Sequence, residues 1–133
     1  VCVEAYIAGL FDGEGCVTVT RRIGGTRGVA YQLVVVFGMN DREGLDVVCS
    51  RFGGNVLGPN PKGTYTWAAS GVNALAFLKV VRPHVRVKRQ QVDVALGFTV
   101  GQRGRLVDLE ERESIWRVLK ALRAKAILAP CTS

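Results

Sequence analysis

Histidine is nearly absent from this chain, with His84 the only one in 133 residues. The four cysteines, Cys2, Cys16, Cys49 and Cys131, show no C-x-x-C spacing, so the ligand pattern of a structural zinc site is missing. Their spacing assigns no disulfide, and Cys49 reads as a core residue on an apolar helical face. Acidic residues are scarce, 11 against 18 Lys and Arg, leaving a net charge of +7 and a pI near 9.7. That balance points to a polyanionic partner, and two copies of +7 would carry +14. No apolar run approaches the ~20 residues needed to span a bilayer, and no basic segment followed by a long apolar core begins the sequence. The expectation is a soluble, intracellular protein of cytoplasm, nucleoid or organelle, not secreted and with no membrane partner.

What is present fits one domain over residues 1–133: 48% of the residues are hydrophobic, enough for a core, and the chain is too short to suggest two domains. The pattern alternates. Residues 5–15 read as a helix of small and apolar residues. Residues 17–22 alternate with a period of two, which makes a half-buried strand with Thr18, Thr20 and Arg22 on one face. A glycine-rich turn at 24–28 leads to a return strand over 29–39, rich in β-branched and aromatic residues. Asn40 with Glu43 fits a capping box, followed by Leu45, Val48, Cys49 and Phe52 at helical spacing and a stop at Gly53-Gly54. Residues 55–57 and 64–69, on either side of a Gly/Pro cluster, suggest a second hairpin. Helices follow over 72–81 and 88–100, separated by Pro83, and a last one carries Ile115, Leu119, Leu122 and Ala126 after a cap at Asp108 with Glu111.

Chemistry concentrates at the end of the first helix. Asp12 and Glu14 sit where the helix dipole disfavours negative charge, so a cation is expected nearby. Ala5, Gly9 and Gly13 recur at i, i+4 and i+8, a strip without bulk where a second backbone could approach closely. Residues 7–15, Ile-Ala-Gly-Leu-Phe-Asp-Gly-Glu-Gly, resemble the signature of the LAGLIDADG homing endonucleases, present here once. Residues 31–37 and the basic segment 82–91 resemble the second strand and pre-helix segment of single-motif members, so the likeness reaches to about Phe98.

The resemblance implies an α+β fold of order αββαββα, whose four-stranded antiparallel sheet, covered by helices, forms a saddle for DNA. It also implies a homodimer through the motif helix, with Ala5, Gly9, Asp12 and Gly13 at the interface. The implied activity is a double-strand break in a long, pseudo-palindromic DNA site, promoting mobility of a host intron. Hydrolysing a phosphodiester requires neutralising the phosphate and activating water, tasks that a hard divalent cation performs through oxygen ligands. By the resemblance these are the Glu14 carboxylate and the Gly13 carbonyl, holding Mg2+, or Mn2+ or Ca2+ in its place. Asp12 is expected to cap or brace the helix pair, with direct metal ligation as the alternative. Lys88 matches a lysine that stabilises charge in the cleavage pocket. Asp41 matches a polar residue, often Gln, that orders water around the metals; as an acid it either recruits metal or extends the cap at Asn40.

The DNA-reading set is expected on the saddle: Thr18, Thr20, Arg22, Arg27, Gln32, Asn60, Lys62, Thr64 and Thr66, with Arg86 and Arg89 on the basic segment. A two-stranded ribbon fits the major groove, where Arg pairs with guanine and Gln with adenine, while Thr and Val reach thymine methyls. His84 reads as a structural or phosphate-facing residue, and Trp67 and Trp116 as packing residues. Two other functions share these features, an RNA-binding intron maturase and a DNA-binding protein of the same fold without catalysis; Glu14 and Lys88 argue against the latter.

Overall fold

Helix α1 (Val3–Glu14) runs without a loop into strand β1 (Gly15–Ile23). This computed structural model describes residues 2–23, 29–98 and 109–128. Gly15 makes the junction possible: a Cβ there would lie 2.3 Å from the Phe11 ring and 3.0 Å from the Phe11 Cα and carbonyl oxygen. Gly15→Ala is therefore expected to destabilise the fold by about 1–3 kcal/mol through overpacking. A lowered urea midpoint with unchanged slope would register this, and an unaltered midpoint would contradict the close packing.

Strand β2 (Val29–Met39) pairs antiparallel with β1, and β3 (Tyr65–Ser70) pairs antiparallel with the other edge of β2. The order is β1-β2-β3. Alternation divides the sheet as the sequence suggests. Val17, Val19, Leu33, Val35, Phe37 and Trp67 are buried toward the helices. The opposite face carries Cys16, Thr18 and Thr20, cross-strand partners of Val36, Val34 and Gln32, and beyond them Ser70, Ala68 and Thr66, all half-buried or exposed. The core is strongly aromatic: Phe11, Phe37, Trp67 and Phe77 pack edge-on or tilted, and Phe52 lies 4.8 Å from Phe77 between ring centroids. Each such pair contributes ~0.5–1.5 kcal/mol beyond its burial.

The remaining elements are α2 (Arg42–Phe52), α3 (Val72–Val81), α4 (Arg89–Leu96) and α5 (Leu109–Leu128), the last packed on β1 and α4. The cap of α2 differs from the expected capping box. Asp41, not Asn40, is the N-cap, its Oδ1 accepting from the Glu43 N–H at 2.9 Å, while Asn40 Oδ1 accepts from the Thr64 hydroxyl at 3.2 Å. The second hairpin is also reduced. Among the described residues the sheet has three strands, and Leu57 meets Thr66 only as an isolated bridge with two backbone hydrogen bonds of 2.8 Å. Pro59 and Pro61 lack an N–H, and Gly53, Gly54, Gly58 and Gly63 all adopt positive φ, so the segment turns where a ladder would need extended, donating backbone. Helix α4 ends at Leu96 with Gly97 as its cap, short of the expected residue 100. No helix of the described residues is long and apolar enough to cross a membrane.

Candidate active site and nucleic-acid interface

The end of α1 is clasped by the segment that precedes α4. Asp12 Oδ2 accepts from the backbone N–H of Arg86 at 2.8 Å, and Oδ1 accepts from that of Lys88 at 3.1 Å. In return the Lys88 ammonium donates to the Asp12 carbonyl at 2.7 Å. The last carbonyls of a helix have no partner within it and carry the negative end of its dipole, so this ammonium satisfies one and offsets the other. The cation expected near Asp12 and Glu14 is thus in part Lys88 itself. Asp12 braces α1 against its own chain, and its charge-assisted bonds fix where Lys88 begins α4.

Glu14, the last residue of α1, is exposed and has no hydrogen-bond or ion-pair partner among the described residues. It lines a cleft of about 350 Å³ with Gly38, Met39, Asn40, Asp41 and Thr64. Of the roles the sequence left open for Asp41, the cap is the one seen, with Asp41 itself as N-cap of α2; the residue also lines the same cleft as Glu14. Asn40, whose side chain is fixed by Thr64, is a cleft residue that the sequence pattern marks only as a cap. Among the described residues no three His, Cys, Asp or Glu side chains converge on one point. The donors at hand, the Glu14 carboxylate and the last-turn carbonyl of exposed Gly13, are hard oxygens suited to Mg2+ or Ca2+ and too few to complete its shell. Oxygens from outside one chain would have to supply the rest.

The expected reading residues fall into separate groups. Thr18, Thr20, Gln32 and Thr66 share the open face of the sheet, with Thr20 directly across from Gln32. Thr64 sits beside Gly38 at the edge of that face, where a Cβ on the glycine would be 3.6 Å from its methyl. Asn60 is occupied differently: its Oδ1 accepts from the N–H groups of Lys62 and Thr64, both at 2.9 Å, and so shapes the turn that presents exposed Lys62. Arg86 and Arg89 are exposed beside Ala5 on a second concavity, which also includes His84. Arg27 and the side chain of Arg22 lie outside the described residues.

Helix α1 buries Ile7, Ala8 and Phe11 in its own domain, yet its other face is also apolar. Val3 and Tyr6 are 45% and 46% exposed, Ala5 is exposed, and a Cβ on Gly9 or Gly13 would meet nothing within 4 Å. A helix that is apolar on both sides is ordinarily covered on both.

No family profile matches the chain, and no curated protein does. Solved structures do. An archaeal intron-encoded homing endonuclease complexed with DNA, I-Vdi141I, superposes with a TM-score of 0.71 at 22% identity over 89% of this chain and 82% of that one. I-CvuI, in complex with the I-CreI target in the presence of Mg, gives 0.63 at 17% identity over 88% and 94%. The homing endonuclease I-TnaI gives 0.64 at 16% identity over 92% and 96%. The expected architecture is therefore met in the superpositions and in the order of elements except for the fourth strand, of which only the Leu57–Thr66 bridge is seen: this chain, with one copy of the motif in 133 residues, has the LAGLIDADG homing endonuclease fold.

Proposed function

We propose that the chain is a site-specific endonuclease that, as a homodimer, makes a double-strand break in a long, pseudo-palindromic DNA site and thereby mobilises its host intron. The observation that carries this reading is the position of Glu14. It is an exposed carboxylate without a partner among the described residues, in the cleft at the edge of the open sheet face, with Lys88 fixed on the carbonyl of Asp12 two residues before it. Packing two copies of α1 along their Ala5-Gly9-Gly13 strips would bring two Glu14 residues together and align two sheets along one duplex.

In this arrangement Glu14 and the Gly13 carbonyl would hold a divalent cation, Mg2+ with Mn2+ or Ca2+ as substitutes. When bound it supplies neutralisation of the phosphate and activation of water. The residues of the chain do the rest. Lys88, fixed through Asp12, presents positive charge at the α1 terminus to a phosphate oxygen. Asp41, its Oδ1 bound to Glu43, offers Oδ2 to order water in the cleft. The open face, carrying hydroxyls, an amide and small apolar groups, lies against base edges, while Lys62, Arg86 and Arg89 contact phosphates. RNA helices hide their bases in a deep, narrow major groove, so an extended ribbon of this kind favours DNA over the RNA of a maturase.

The test is a binding-site selection from randomised duplexes, followed by incubation of the selected duplex with Mg2+ or with EDTA. A discrete double-strand cut with Mg2+ alone is expected, and a selected duplex that stays intact would sink the reading. In the same selection Gln32→Ala should relax the preference at one position per half-site, a loss of ~1–3 kcal/mol there. Lys62→Ala should weaken all duplexes alike and reduce the salt slope by about one. Unaltered base preference in the Gln32 variant would remove this face as the reading surface.

A further inference from the structure

Among the described residues the sheet loses its third strand beyond Leu33. The pairing of β2 with β3 runs only from Val34 to Met39, whereas its pairing with β1 continues out to Ile23 and Val29. Residues 19–23 and 29–33 therefore form a two-stranded ribbon, and such a ribbon by itself is marginally stable in water. Next to the buried Val19 and Leu33 pair, one residue of α5 reaches both strands on the helix-side face. Glu113 Oε2 accepts the hydroxyl of Tyr31 and lies 3.3 Å from Nε of Arg21, while Oε1 lies 3.3 Å from Nε of Arg117. Arg21 and Tyr31 are cross-strand partners, so a single carboxylate grips both strands of the ribbon at the same level. Trp116 adds to the grip, with the Arg21 guanidinium 4.8 Å from its ring centroid and Lys120 at 4.9 Å. The Tyr31 hydroxyl, with Arg21 and Arg117 behind it, holds the Glu113 carboxyl below its ordinary value, and Glu113 raises the Tyr31 phenol in turn.

None of these groups lies on the open face or in the cleft with Glu14. Their place along the chain nevertheless relates them to reading. Arg21 is seven residues beyond Glu14 on a strand that starts at the helix end. At ~3.3 Å per residue that is about 23 Å, or roughly seven base pairs at ~3.4 Å each. We propose that Glu113 and Tyr31 are positioning residues for sequence reading, bracing the two-stranded ribbon at the height and twist that seat it in the groove about seven base pairs from the cut. This rests on the endonuclease reading for its DNA arm; the brace itself does not.

The experiment uses the full chain with Tyr31→Phe, which removes one hydroxyl and keeps the ring, and with Glu113→Gln as a second variant. In the free protein, amide hydrogen exchange at residues 19–23 and 29–33 should quicken about five-fold or more, the effect of losing one such bond, with α3 and α4 unchanged. In EDTA, binding is then compared between the selected duplex and two altered ones, mismatched either in the outer base pairs of each half-site or in the inner ones next to the cut. Discrimination against the outer mismatches should fall about five-fold in both variants, and against the inner ones it should hold. Unaltered exchange in the ribbon, or inner and outer discrimination falling together, would overturn the proposal. If the parent chain bound no duplex at all, the endonuclease reading would fail and the exchange arm alone would decide whether the brace exists.

Discussion

Glu14→Gln is expected to bind the selected duplex with nearly the affinity of the parent chain and to cut it at least about a thousand-fold more slowly. Affinity comes from phosphate and base contacts spread over the sheet and the basic segment, and Glu14 adds a negative charge that opposes them. Cleavage depends on a hard cation, for which an amide oxygen is a much poorer ligand than a carboxylate. The side chain is exposed and partnerless among the described residues, so the change leaves no buried group unsatisfied and the melting temperature should be unmoved. Gel-shift titration beside single-turnover cleavage separates the two effects. A variant that cuts at a near-parental rate would place the metal elsewhere, and one that loses binding and cleavage together would show Glu14 to be structural.

If the chain assembles through α1 as proposed, Gly9→Leu is expected to leave a folded monomer that nicks neither strand. Within one chain a side chain at position 9 meets open space, since nothing lies within 4 Å of the added Cβ. Replacing a helix-interior glycine by leucine should stabilise the isolated domain by about 0.5–1 kcal/mol. The opposite sign is expected for assembly, because two α1 helices packed along Ala5, Gly9 and Gly13 leave no volume for an isobutyl group at the crossing. Sedimentation velocity at micromolar concentration, together with a thermal melt, reads both signs. A Gly9→Leu variant that sediments as a dimer would remove α1 as the interface.

The sequence was informative where local pattern and local physics agree. Helix α3 spans Val72–Val81 as expected because an apolar run ends next to Pro83, and the sheet faces follow from strict alternation in residues 17–22. It was ambiguous by one position at α2, since Asn40 and Asp41 are both cap-forming types and only the geometry selects Asp41. The expectation was met only in part at the second hairpin, where three residues, 55–57, are too few to show a period and form a single bridge to Thr66. The motif gave Glu14 and Asp12, and the basic segment gave Lys88. Their joining did not show, because Asp12 and Lys88 are 76 residues apart and a carboxylate accepting from backbone N–H groups leaves no mark on the identity of its donors. The same holds for Glu113 and Tyr31, 82 residues apart, each unremarkable in its own element.

The division of the sheet into two faces has a consequence for how such a protein changes over time. Cys16, Thr18, Thr20, Gln32, Thr66, Ala68 and Ser70 belong to none of the buried core, so substitutions among them should alter stability by only about 0.5 kcal/mol. Under the proposed function these are the residues that decide which DNA is recognised. Recognition can therefore drift by single mutations across a scaffold that barely registers them. At the end of α1 there is no such latitude, since Gly15 admits no side chain and Asp12 holds two backbone groups of another segment. If the proposed function holds, a lineage built this way would retain its capacity to cut while its choice of target wandered, so that an old address could be lost without losing the machinery for a new one.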